Sequence, residues 1–209
     1  MNPSRPRRTY VVGNLVRKPP KSDPSWACVR TDAGVDNLVL GVGVLVSGLF
    51  QYDNIHMEGV AAAHGCQEPP TSDYAELLAV YHGLLLARSL GYSSAHVVTD
   101  SQYVRHVISG GKVRHGSEVH SAMSFLMPLL GVFDKVSLKW VPRENNREAD
   151  SLARKARRDV RRALVSRTHA SLAESADAAG SNPVAREGVL VQVQQDAQCR
   201  VGSGEPGSL

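Results

Sequence analysis

At residue 70 the apolar pattern changes its period, and that change restricts the fold more than any other feature of the chain. Upstream, Trp26 to Thr31, Leu38 to Leu49 and Ile55 to Ala63 are extended runs rich in β-branched residues and punctuated by glycine. Such runs read as strands joined in a meander, with Ala33-Gly34-Val35-Asp36-Asn37 as a turn after the first. Downstream, Leu77, Leu78, Val80, Tyr81, Leu84, Leu85 and Leu86 recur at helical spacing up to a stop at Gly91. Ahead of them stands Pro70-Thr71-Ser72-Asp73, a helix start with Ser72 or Asp73 available as cap. The alternation then continues: a strand Ala95 to Thr99, a helix Ser101 to Ile108 stopped by Gly110-Gly111, a helix Glu118 to Leu130, a strand Val136 to Val141, and a helix from Arg147 to about Val165. The order β-β-β-α-β-α-α-β-α predicts an α/β fold, a mixed five-stranded sheet with helices on its faces.

At 209 residues the chain has room for one domain with tails. Residues 1–25 are rich in proline and charge and read as a basic, mostly disordered arm; residues 26–166 form the folded body. Residues 167–209 lack aromatics and read as a disordered tail, apart from a possible strand at Val189 to Val193. Three widely spaced cysteines with no Cys-x-x-Cys pair argue against a zinc ribbon or a redox motif. No apolar stretch is long enough for a bilayer, and no signal-peptide pattern follows the basic N-terminus, so an intracellular, cytoplasmic monomer without membrane attachment is expected.

The net charge of +4 conceals an uneven distribution. Residues 1–21 carry six basic and no acidic residues, residues 22–153 nine basic and fourteen acidic, and residues 154–169 seven basic and one acidic. An acidic body between two basic flanks suits a cation site beside surfaces that attract phosphates.

Four of those acids lie where strands end or helices begin: Asp32, Glu76, Asp100 and Asp150. Three have a local explanation. Asp100 can cap a helix, while Glu76 and Asp150 sit in opening turns where the helix dipole favours a negative charge. Asp32 closes a hydrophobic first strand and has no local partner. In the expected sheet all four gather at one end, where carboxylates lose hydration and repel one another unless a divalent cation compensates. Acidic clusters holding Mg²⁺ or Mn²⁺ serve chiefly to cut or transfer phosphate esters.

Three segments carry a resemblance: Ala75-Glu76-Leu77-Leu78-Ala79, Thr99-Asp100-Ser101-Gln102-Tyr103-Val104, and Trp140-Val141-Pro142-Arg143-Glu144-Asn145-Asn146-Arg147-Glu148-Ala149-Asp150-Ser151-Leu152-Ala153. From about Trp26 to about Ala156 the chain resembles the ribonuclease H type 1 family. The resemblance implies a ribonuclease H-like fold with sheet order 3-2-1-4-5. It also implies an endonuclease that hydrolyses the RNA strand of RNA/DNA hybrids with two Mg²⁺ ions (Mn²⁺ as substitute) and leaves 5′-phosphate ends. Asp32 would bridge both ions, Glu76 and Asp100 would complete one side, and Asp150 would hold the other. Contacts to the hybrid are expected from Gly34, Ser72, Ser101, Gln102, Lys112 and Arg114, and from Arg157, Arg158, Arg161 and Arg162 on the last helix.

The chain departs from the family's pattern in four places. The glycine-rich turn after the first acid is shortened. Ser72-Asp73 stands where Asn-Asn often precedes the helical Glu. The loop before Asp150 is histidine-free, as in the archaeal-like and plant-like branches. The basic protrusion is reduced to residues 110–116, which leaves the basic flanks to grip the duplex. Two other readings compete: a catalytically silent module of the same fold that binds nucleic acid, and a DNA-acting resolvase or integrase, which Glu76 disfavours.

Overall fold

Val29 and Thr31 point to one side of their strand while Cys28, Arg30 and Asp32 point to the other, and the fold is built on these two faces. The computed structural model describes residues 7–20, 22–37, 39–49, 56–63, 70–114 and 117–179, with the backbone alone for 56–63, Arg114 and 167–179. The strands are β1 (Arg7–Thr9), β2 (Trp26–Asp36), β3 (Val39–Gly48), β4 (His56–Ala63), β5 (Ser94–Thr99), β6 (Lys112–Arg114) and β7 (Lys135–Trp140). The helices are α1 (Ser72–Ser89), α2 (Gln102–Ile108), α3 (Glu118–Val132) and α4 (Arg147–Ala179), with a 3₁₀ turn at Arg143–Asn145.

The main sheet has the order β4-β3-β2-β5-β7. The pairs β2–β3 and β3–β4 are antiparallel, whereas β2–β5 and β5–β7 are parallel. This is the expected five-stranded mixed sheet in the expected order. The valines at 42, 44 and 46 and Val29 face α1, and Leu77, Val80 and Leu84 close that side of the core together with Met123, Leu126 and Leu130 of α3. Removing these apolar side chains from water is the main source of stability, about 1.5–3 kcal/mol for each one fully buried.

On the opposite face α4 crosses the β2–β3 hairpin over three glycines. A side chain at Gly43 would collide with the backbone of Ala149 and Ala153, one at Gly41 with Ala153 and Arg157, and one at Gly34 with the Arg157 guanidinium. The hairpin turns at Asn37, whose φ of 51° lies in the left-handed region that asparagine tolerates. Asp32 therefore does not end its strand. β2 continues to Asp36, and the expected turn over residues 33–37 shrinks to its last position. What ends at Asp32 is the parallel pairing, since β5 accompanies β2 only as far as Thr31.

Residues 7–20 correct the expectation of a mostly disordered arm. β1 pairs antiparallel with β6, and Leu15 bridges Val136 on the outer edge of β7. The Val16 N–H donates to the Val136 carbonyl at 2.8 Å, and the Val136 N–H to the Asn14 carbonyl at 3.1 Å. Asn14 Nδ2 donates to the carbonyls of Leu130 and Phe133 at the end of α3. An open sheet edge and the orphan carbonyls of a helix terminus are thereby satisfied at once. Residues 170–209 form a second unit, in which α4 is described to Ala179; the possible strand at Val189 to Val193 lies outside the described residues. Among the described residues no helix is long and apolar enough to cross a membrane.

Candidate active site

Neither Asp100 nor Ser72 or Asp73 caps a helix. Thr71 accepts from the Tyr74 N–H at the start of α1, and Ser101 accepts from the Val104 N–H at the start of α2. With Ser101 taking the capping role, the Asp100 carboxylate is left free at the end of β5 and accepts from Asn146 Nδ2 at 2.9 Å. The same Asn146 amide donates to the Thr31 carbonyl at 2.9 Å. Trp140 Nε1 holds the Asp100 carbonyl at 2.8 Å. β2, β5, β7 and the start of α4 are thus tied together around one acid.

Asp32 is only 3% exposed. Its burial, followed by the charges of Asp100 and Asp150, pushes its carboxyl up to about 7 against the pull of Arg143, and it shares a side-chain hydrogen bond with Asp100. Glu76 rises further, to about 9, chiefly through burial and then through Asp32 and Asp100; a hydrogen bond from the Ala33 backbone and the Arg143 charge oppose the rise. Burial and mutual repulsion oppose the simultaneous ionisation of these acids, a cost that a cation would offset. Asp150 lies within their field but is engaged elsewhere. Arg143 Nη2 donates to its Oδ1 at 2.8 Å, and Arg154 Nη2 meets its Oδ2 at 2.7 Å.

Asp32, Glu76 and Asp100 are therefore brought together, with Asp150 at the margin under two guanidinium groups. Among the described residues no three acidic, histidine or cysteine side chains already close on one cation position. The donor set nevertheless fits a hard divalent ion. It consists of carboxylate oxygens, and Glu76 Oε2 is buried with no hydrogen-bond partner. Mg²⁺ keeps several waters and needs only a few protein oxygens. To join such a set, Asp150 would have to turn away from its arginines.

The other expected contact residues are scattered. Ser72 and Gln102 are exposed at the first turns of α1 and α2, and Ser101 serves as a cap. Lys112 is exposed on the β1–β6 ribbon, which sets Arg7 opposite Arg114 and Thr9 opposite Lys112. Arg157 donates to the Val35 carbonyl at 3.2 Å beside Gly34, and Arg161 pairs with Asp36 at 2.8 Å. Gly34, Arg157 and Arg161 thus belong to the contact that docks α4 on the hairpin, while Arg158 and Arg162 remain exposed. Sequence reasoning missed Asn146, which lies just ahead of the expected last helix, and Arg143. The signal for Arg143 was a basic residue, one of two with Arg147, in the short segment between the last strand and the last acid.

A mixed sheet in this order, with acids at the end of its parallel strands and a helix seated across its first hairpin, defines a ribonuclease H-like protein. A family model described as "Reverse transcriptase-like" matches residues 53–156, about half of the chain. RNase H1 from the halophilic archaeon Halobacterium salinarum NRC-1 is similar at 23% identity and a TM-score of 0.57, over 64% of this chain and 98% of that one. The N-terminal RNase H domain of rv2228c from Mycobacterium tuberculosis, solved as a maltose-binding-protein fusion, is similar at 23% identity and a TM-score of 0.58, over 66% and 98%. LC11-RNase H1, isolated from compost by a metagenomic approach and solved in complex with an RNA/DNA hybrid, shares 18% identity at a TM-score of 0.53, over 64% and 98%. No curated protein matches the chain. The family-model match and the shared fold agree with the resemblance to the ribonuclease H type 1 family.

Proposed function

We propose that the protein is a metal-dependent endonuclease that hydrolyses the RNA strand of RNA/DNA hybrids. The observation that carries this reading is the trio of buried Asp32 and half-buried Glu76 and Asp100, with the unpartnered Glu76 Oε2, a charge arrangement that costs stability unless cations are bound. Asp32, Glu76, Asp100 and a released Asp150 would hold two divalent ions, Mg²⁺ or Mn²⁺. Such ions supply a nucleophilic water at neutral pH and charge stabilisation for the leaving oxygen. The protein's part is to orient. Asn146 fixes the Asp100 carboxylate, Trp140 fixes its backbone, and Arg143 neutralises the acids until the ions arrive. Arg7, Arg8 and Lys112, exposed on the β1–β6 ribbon, make a cationic strip suited to a phosphate backbone. Exposed Arg158 and Arg162 offer further backbone contacts.

A second reading, a silent module that binds nucleic acid, is favoured by the two ion pairs that occupy Asp150. One assay separates them: labelled RNA/DNA hybrid, double-stranded RNA and duplex DNA incubated with Mg²⁺, Mn²⁺ or chelator, beside Asp100→Asn. Metal-dependent cutting of the hybrid's RNA strand, abolished in the variant, supports the enzyme. Hybrid binding without cutting under every metal condition supports the silent module.

A further inference from the structure

The face of the sheet that carries α4 is only partly covered by it. Beyond the glycine seats a cavity of about 600 Å³ remains, between β2, β3, β5, β7 and the turn that leads into α4. Its walls divide by chemistry. Leu45, Leu49, Val98 and Val141 supply an apolar side, Arg30 and Lys139 supply two cations from the strands, and Arg147, exposed at the start of α4, is a third cation in the lining. Arg30 donates to the Asn145 carbonyl at 3.0 Å, and among the described residues neither Arg30 nor Lys139 has a carboxylate partner.

Both positive charges are felt inside the cavity. Arg30 and Lys139 act together on His96, which burial above all keeps neutral, with a pKa near 4, and whose Nδ1 bonds Ser137 Oγ at 2.7 Å. They act together on Cys28 as well, where burial raises the thiol and both cations oppose the rise. The two acids of the lining, Glu144 and Glu148, are exposed and act on neither group. An uncompensated cation pair beside an apolar wall recognises an anion attached to a flat apolar body. Arginine's fork favours a phosphoryl or carboxylate group, the volume lies within the range of small-ligand pockets, and rim carboxylates accept from sugar hydroxyls.

We propose that this cavity is a binding site for a nucleoside monophosphate, with the phosphoryl group between Arg30 and Lys139 and the base against Leu45, Leu49 and Val98. None of Asp32, Glu76, Asp100 and Asp150 lines the cavity, although Asn146, which holds Asp100, stands in its wall; nucleotide binding here does not depend on hybrid cleavage.

Cys28 lines the cavity as a free thiol and serves as the reporter. The full chain is treated with iodoacetamide in chelator, so that no divalent ion at the acids recruits the nucleotide, and alkylation of the Cys28 and Cys199 peptides is followed by mass spectrometry. Adenosine monophosphate is expected to slow labelling of Cys28 and not of Cys199. Adenosine should need about tenfold more for the same protection, because a lost charge-assisted contact is worth roughly a factor of ten. Inorganic phosphate should compete weakly. Lys139→Gln, an exposed substitution, should raise the half-protecting concentration about tenfold, and Arg30→Gln should do so independently. Unchanged Cys28 labelling at millimolar nucleotide overturns the proposal, as does equal protection by adenosine, or protection indifferent to both substitutions in variants shown to be folded by circular dichroism.

Discussion

Asn146 and Asp100, 46 residues apart, are joined by a 2.9 Å hydrogen bond from the asparagine amide to the aspartate Oδ1, and the same amide reaches the Thr31 carbonyl. Asn146 is 1% exposed, so this contact is made away from water. It couples the strand that carries Asp32 to the acid that ends β5.

Asn146→Ala should therefore lower both stability and activity. Two acceptors lose a buried donor, which costs about 1–3 kcal/mol for each group left unsatisfied. Urea denaturation should show a lower midpoint. Hybrid cleavage should fall at least about tenfold at saturating metal, because Asp100 loses the group that orients it. Unchanged cleavage would remove Asn146 from the site.

The raised carboxyls of Glu76 and Asp32 make stability depend on pH in a defined direction. In chelator the folded state binds more protons than the unfolded chain between the ordinary carboxylate range and the folded values of about 9 and 7. The stability these groups contribute is thus fully present below pH 4 and is lost as pH rises through 7 and then 9. Thermal melts in chelator should show the midpoint falling over this window. Glu76→Gln should flatten the upper part of the fall. Added Mg²⁺ should raise the midpoint more at pH 8 than at pH 6.

Arg154 occupies the carboxylate of Asp150 that the proposed cations would need. Its pair is exposed on the arginine side, with the Arg154 side chain 56% accessible, and such pairs are worth about 0–1 kcal/mol. Arg154→Ala should lower the Mg²⁺ concentration for half-maximal cleavage by roughly two- to fivefold, read from a metal titration at fixed hybrid. A higher requirement would contradict competition and make Arg154 an aid to metal binding.

Gly43 separates packing from local preference. Gly43→Ala would drive a methyl into the Ala149 and Ala153 backbone, and overpacking of this kind costs about 1–3 kcal/mol. Gly131→Ala in α3 meets nothing within 4 Å and should stabilise by about 0.5–1 kcal/mol through helix preference. Opposite shifts in chemical denaturation would bear out both.

Arg8→Ala with Lys112→Ala tests the β1–β6 ribbon. Hybrid affinity should weaken, and the slope of log affinity against log salt should become shallower by about one for each phosphate contact removed. Arg161→Ala should act instead through stability, since Arg161 is paired with Asp36.

Much of the fold was legible because its signals are local. Leu77 to Leu86 repeat at helical spacing whatever surrounds them, and the extended runs before residue 70 admit little but hairpins. Few topologies connect that order of elements by short right-handed crossovers. The arm was misread for the converse reason. Its composition argues for disorder, but Asn14 finds the carbonyls of Leu130 and Phe133, 116 and 119 residues away. No pattern within the arm encodes those partners.

The four acids divide in the same way. Sequence alone determined which four acids are the candidates for the proposed chemistry and in what order they come, because residue type and element order are properties of the chain itself. Tertiary structure alone decided their state. Ser101 caps α2 and frees Asp100, Arg143 and Arg154 occupy Asp150, and burial holds Asp32 and Glu76 above the usual carboxylate range. Desolvation and charge–charge interaction act through space rather than along the chain, so only the folded arrangement sets them.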